Sequence, residues 1–178
     1  KQVYEGIVRD RDLEWANIGL GKSLIALGDL DGAEKVFGNL IDNGCLCLEI
    51  YDCMAEIHNQ RGQSESAQKI LEQAIELSPN AILRQEKLAD LSEDNHNWSQ
   101  AELARKKVIR LGNNSVYESP EHHFKLARTI TSEMEYNENP KKRLKDVDEV
   151  LRKVKRKFND DTVNLQSDIL EANVCAKA

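Results

Sequence analysis

Carboxylates at helical spacing are the residues of this chain best placed to do chemistry. Asp52 and Glu56 stand four apart, and Glu86, Asp90 and Asp94 repeat that step twice. On a helix this spacing sets side chains one turn apart on one face. A line of acids attracts cations or basic side chains, although charge runs are commonly just solvated faces. The opposite balance fills residues 141–157, where Lys141, Lys142, Arg143, Lys145, Arg152, Lys153, Lys155, Arg156 and Lys157 stand among three acids. That segment carries +6 in a chain of net charge −6. A basic face could meet phosphates, so nucleic-acid binding through 141–157 is the alternative reading. No aromatic residue interleaves with it as a stacking platform requires, which leaves nucleic acid the lesser choice.

Catalysis has no comparable foothold. The four histidines, His58, His96, His122 and His123, are not spaced with a serine, cysteine or carboxylate as a triad would be. Gly19-Leu20-Gly21-Lys22-Ser23 imitates the end of a phosphate loop, but Trp15 and Ala16 stand where its first glycine belongs. Cys45, Cys47 and Cys53 lie close together, yet neither a CxxC pair nor an HxxxH follows at zinc spacing. The expectation is therefore no catalytic site, no metal and no cofactor, with free thiols in a reducing, cytoplasmic setting. No run approaches the roughly 18 apolar residues of a membrane span, and no apolar leader opens the chain.

The elements that hold these residues follow from a period. Leu20-Gly21, Met54-Ala55 and Leu88-Ala89 are spaced 34 apart, as are Ala33, Ala67 and Ala101, and Gly28 and Gly62. A 34-residue unit of two helices predicts an all-α solenoid of helix hairpins. The small residues mark where paired helices cross closely. Residues 14–47 make the first repeat, 48–81 the second and 82–115 the third, preceded by the tail of an upstream helix in 1–13 with Val3, Tyr4, Ile7 and Val8. In the third, His96-Asn97 replaces the turn glycine.

The spacing then slips by about four residues, to Leu126-Ala127, giving a longer fourth repeat over 116–158. Ser119-Pro120-Glu121 starts one helix, with a capping serine, proline in the first turn and an acid on the positive dipole end. Asn139-Pro140 starts the next in the same way. Asp160 or Asp161 caps a last helix in 159–178, the first of a partial fifth repeat without a dedicated polar cap. Both ends are expected to cut through a single array, 1–178.

These small positions, with Phe37 and Pro79, resemble the tetratricopeptide repeat family over essentially the whole chain. More narrowly, residues 15–21 and 78–84 resemble the C-terminal tetratricopeptide region of bacterial receiver-domain response regulators. The resemblance implies a right-handed superhelical solenoid acting as a protein-interaction scaffold, here in two-component phosphorelay signalling. It also implies that first helices line a concave groove. Carried over residue by residue, the groove takes Trp15, Ile18, Lys22, Ile25 and Ala26 from repeat one. Repeat two gives Glu49, Asp52, Glu56, Asn59 and Gln60, and repeat three gives Leu83, Glu86, Asp90, Glu93 and Asp94. Repeat four adds Glu121, Phe124, Arg128, Thr131 and Ser132. Seven of the ten positions from repeats two and three are acidic. Some family members grip a C-terminal carboxylate with basic residues and an asparagine; here Lys22 stands almost alone before Arg128. The groove is therefore expected to prefer a basic or amphipathic helical segment of a protein partner, with Ile18, Ile25, Leu83 and Phe124 as apolar contacts. Self-association is a further possibility, through the acidic groove of one copy and the basic helix of another.

Overall fold

In the computed structural model, ten helices succeed one another among the described residues: α1 (Gln2–Asp10), α2 (Glu14–Ala26), α3 (Leu30–Asp42), α4 (Leu48–Gln60), α5 (Ser64–Leu77), α6 (Ile82–Asp94), α7 (Trp98–Gly112), α8 (Pro120–Met134), α9 (Pro140–Phe158) and α10 (Asp161–Lys177). The structure describes every residue except 11, 12, 135, 137–139 and 178, and the side chains except also those of 7–10, 140–142 and 177. Asn139 and the side chains of Ile7, Val8, Lys141 and Lys142 thus lie outside the described residues. No strand occurs among the described residues.

The chain forms two compact units, Lys1–Pro79 and Asn80–Ala178. In the first, α2 pairs with α3 and α4 with α5, and α1 lies against α2. In the second, α6 pairs with α7 and α8 with α9, while α10 packs on α9 and α8. The pairs α2–α3, α4–α5 and α6–α7 are the hairpins the 34-residue period calls for.

Three turns show how the period acts on the backbone. Gly28, Gly62 and His96 are 34 apart and have φ of 77°, 71° and 56°. In each, the residue after the helix accepts a left-handed conformation, which closes the helix end and costs glycine nothing. The hydrogen bonds repeat as well: Asp29 N–H donates to Leu24 O, Gln63 N–H to His58 O and Asn97 N–H to Ser92 O. His96 holds this conformation with its ring 5.6 Å from Trp98 and 5.7 Å from Tyr136. The next helices begin on side-chain caps, Asp29 accepting from Gly32 N–H and Asn97 from Gln100 N–H. Ser119 likewise accepts from Glu121 N–H, and Asp160 from Thr162 and Val163 N–H, so Asp160 is the cap of α10.

The core of the first unit gathers Leu20, Leu24, Ala33, Phe37, Leu40, Ile50, Met54 and Ile57. Phe37 is fully buried against Gly21, where a Cβ would overlap its ring. Gly19 is similarly covered by the Tyr4 ring. Packing therefore accounts for both glycines of the phosphate-loop look-alike, which lies inside α2. The second unit is built around Phe124, Leu126, Ala127, Ile130, Val147, Leu151, Val154, Val163 and Val174. Ala33, Ala67, Ala89 and Ala101 are all 0% exposed, as close helix crossings demand.

Candidate functional site

The groove residues divide between the two units, and the acids differ in what surrounds them. In the first unit, α2 and α4 present Trp15, Ile18, Lys22, Glu49, Asp52, Glu56 and Asn59. Trp15 is 57% exposed, which is unusual for so large an apolar ring. Lys22 Nζ donates to Glu49 Oε1 at 2.6 Å, tying α2 to α4. That hydrogen bond also raises the lysine above its ordinary pKa. Tyr4, Trp15, Ile18, Lys22, Ala26 and Glu49 line an open cleft of about 490 Å³. Beyond it Glu56 accepts a local bond, from Gln60 Nε2 at 3.0 Å, and Asn59 is exposed. An aromatic anchor with carboxylates beside it can receive a segment that is apolar on one side and basic on the other.

In the second unit most of the acids have internal work. Arg105, on α7 and 4% exposed, donates through Nη2 to Asp90 Oδ1 at 2.5 Å and through Nε to Glu93 Oε1 at 3.1 Å. Thr129 Oγ1, on α8, donates to the same Glu93 oxygen at 2.5 Å. Glu86 lies 3.2 Å from His122 Nδ1 and 4.0 Å from Lys125 Nζ. Asp94 is exposed, while Arg128 pairs with Glu121 at 3.0 Å. A buried guanidinium must have its charge answered nearby. Asp90 and Glu93 answer it, so they close the hairpin before they can serve a ligand.

Phe124 corrects the expectation of an apolar groove contact. It is 1% exposed, inside the core that α8 shares with α9 and α10. Sequence reasoning alone misses Arg105, although the sequence holds a signal for it. Phe37, Leu71 and Arg105 fall at one 34-residue step, the first two 0% and 1% exposed. A charge at a core position requires acids facing it. It misses α10 as well: counted from its start, that helix places Leu165, Ile169 and Ala172 where α2 places Ile18, Lys22 and Ile25.

Most of the described basic side chains of the helix α9 are ion-paired. Arg143 binds Glu102, Glu133 and Asp146; burial opposes its charge, but those hydrogen bonds hold its pKa above the ordinary value. Arg152 pairs with Asp148 at 2.7 Å, Lys153 with Glu149 at 2.5 Å, Lys155 with Asp168 and Glu171 at 2.6 and 3.3 Å, and Lys157 with Glu118. Lys145 and Arg156 have no ion pair among the described residues.

The histidines and cysteines are engaged elsewhere. His58 meets Gln63 Oε1 at 2.6 Å and Glu34 at 3.5 Å, and His122 Nε2 meets Tyr117 O at 2.9 Å. His123 is held below its usual pKa by burial, against the Phe158 ring. Cys45 donates to Glu14 at 2.7 Å, and burial pushes its thiol up. Among the described residues, no group of three or more His, Cys, Asp or Glu side chains is placed to hold a metal, and no helix is long and apolar enough to cross a membrane.

Comparison with known proteins agrees with this geometry. Residues 48–81, the α4–α5 hairpin, match the tetratricopeptide repeat family model. The uncharacterized protein ycf37 of Pyropia yezoensis is 29% identical over 77 residues. That stretch spans 43% of this chain and 43% of the relative, less than half its length. YrrB, described as a TPR protein with an unusual peptide-binding site, superposes with a TM-score of 0.69 at 11% identity, over 97% of this chain and 82% of its own. MamA from Desulfovibrio magneticus gives 0.65 at 17% identity, over 90% and 85%. A thermophilic TPR protein of Thermus thermophilus gives 0.52 at 16%, over 98% and 88%. The fold is that of tetratricopeptide helical-hairpin solenoids.

Proposed function

We propose that the chain is a non-catalytic protein-interaction scaffold, and that the α2–α4 face binds a basic or amphipathic helical segment of a protein partner. Tetratricopeptide proteins generally mediate protein–protein contacts. The observation that carries the reading for this chain is the exposed Trp15 beside Ile18, with Glu49, Asp52 and Glu56 on the neighbouring helix. Trp is the residue most often found to anchor an interface, and the acids select the charge of what covers it. A finer context, as the output region of a cytoplasmic bacterial two-component response regulator, is supported only by the likeness of residues 15–21 and 78–84.

The test is calorimetric titration with a synthetic amphipathic helix that carries lysines on its polar face. Affinity should fall on raising salt, and Trp15→Ala should weaken it by at least about tenfold, the loss expected of an interface anchor. Binding that ignores both salt and Trp15→Ala would overturn the reading.

A further inference from the structure

The segment that joins α7 to α8, residues 113–119, is longer than its counterparts 43–47 and 78–81, and its inner side is held at several points. Ser115 Oγ donates to Gly112 O at 2.7 Å and accepts from Tyr117 N–H at 3.1 Å. Glu118 N–H donates to Ser115 O at 3.1 Å. The Tyr117 carbonyl lies close over Gly112, where a Cβ would stand 3.2 Å from its oxygen. Lys157 of α9 binds Glu118 and Asn113 Oδ1. The outer side presents Val116, 95% exposed, and Tyr117, 53% exposed.

His122 of α8 makes one more attachment, and it stands between two acceptors. Nε2 lies 2.9 Å from Tyr117 O, and Nδ1 lies 3.2 Å from Glu86 Oε1 of α6. A backbone carbonyl cannot donate, and neither can a carboxylate. Neutral imidazole has one N–H and one lone pair, so in either tautomer a lone pair is left facing an oxygen. Imidazolium has two N–H groups, one for the loop and one for α6. Nδ1 is buried and unbonded, although inside ion-pair range of Glu86. A proton placed there replaces repulsion with a charge-assisted bond, the stronger kind.

The neighbouring charges are engaged elsewhere or stand further off. Lys125 reaches only to 4.0 Å from the same Glu86 oxygen. Glu121 pairs with Arg128 at 3.0 Å, Glu118 with Lys157, and Asp90 of α6 with Arg105; Lys87 of α6 is exposed. His123 packs on the Phe158 ring, where burial holds its pKa below the usual value.

We propose that His122 is a proton-operated clasp between the 113–119 loop and α6. Protonated, it holds Tyr117 O and Glu86 together; neutral, it gives up one of them. The added hold is present in acid and is lost as pH rises through the titration of the histidine. Lys157 does not depend on that proton, so the clasp sets how firmly Val116 and Tyr117 are presented while the loop stays folded.

Amide hydrogen exchange of the full chain tests it, read by NMR at about pH 5.5 and about pH 8, either side of the ordinary histidine value, and corrected for intrinsic rates. Protection of the Tyr117 and Glu118 amides, measured against amides of α8, should be about tenfold greater at the lower pH, the worth of one hydrogen bond to a charged group. His122→Gln, which keeps a donor but does not titrate, should abolish the difference. Glu86→Gln should shrink it and His123→Gln should leave it in place, with helicity unchanged in all three. Equal protection at the two pH values, or a difference that survives His122→Gln, would overturn the clasp. A difference untouched by Glu86→Gln would overturn the role of α6 in it.

Discussion

Phe37 and Leu71 in the first unit and Arg105 in the second occupy one repeat position, and no other substitution separates the two units so sharply. Phe37 needs only room, which Gly21 gives. Leu71 stands at the same step from Ala55, a smaller side chain set against a residue one carbon larger. Of the α4 acids, Glu56 stays exposed and Glu49 pairs with Lys22. Arg105 needs charge, and it draws Asp90 and Glu93 out of the line they would share with Glu86 and Asp94. A repeat that keeps its core apolar leaves its first helix free to recognise something. A repeat that buries a cation commits that helix to holding itself together.

The largest effect that could break this comparison lies at Glu93. Glu93→Ala leaves Arg105 with Asp90 alone; a stranded buried charge costs about 3–5 kcal/mol. Because Glu93 is 29% exposed, about 2–3 kcal/mol is expected in denaturant unfolding of the second unit. Arg105→Leu, which copies Leu71, should cost less than Glu93→Ala, since the carboxylates it leaves behind are 57% and 29% exposed and water can reach them, whereas Arg105 is 4% exposed. The reverse ranking would show that Arg105 is not the cause of the acids' positions.

Gly21→Ala comes next, at about 2 kcal/mol from overpacking against Phe37. The added change Phe37→Leu, reproducing the Ala55–Leu71 pairing, should recover most of it. Failure to recover would mean that the two hairpins are not built on one plan. Smaller still is Gly62→His, which imposes on the first unit the left-handed histidine of the second. With φ of 71° it should lower stability by about 1 kcal/mol, seen as a shift in the denaturant midpoint.

The least effect is a pH dependence. Glu102 is opposed by burial, but its hydrogen bonds to Lys106 and Arg143 hold its carboxyl below the ordinary value of 4.5. Its contribution is complete above the unfolded-state pKa and is lost as pH falls through the lower folded value. Thermal melts of the unmodified protein and Glu102→Gln should therefore differ at pH 7 and converge in acid, as pH falls below the ordinary carboxylate range and the folded carboxyl takes up its proton. A constant difference would deny the ion cluster on Arg143.

The hairpins are legible in the sequence because small residues recur wherever two helices cross, and a fixed period exposes recurrence. Gly28, Gly62 and His96 show the same for the turns, His96 included, since the backbone geometry persists when the glycine does not. What the period hides is substitution at a step. Arg105 breaks the Phe37–Leu71 series, and that break foretells the fate of Asp90 and Glu93. Phe124 is misplaced by the period for another reason. Its expected position comes from earlier first helices, whereas it is buried in the core that α8 shares with α9 and α10.

The central claim is that the acidic face of α4 receives a basic segment, while Asp90 and Glu93 of α6 are committed to Arg105. Titration of a lysine-faced amphipathic helix into Asp52→Asn/Glu56→Gln and into Glu86→Gln/Asp90→Asn, with folding of each checked by circular dichroism, compares the two directly. The account predicts a loss of about tenfold for the first pair, or roughly 1.4 kcal/mol of binding, and near-unchanged affinity for the second. Equal losses in the two, or a loss confined to the second, would contradict it.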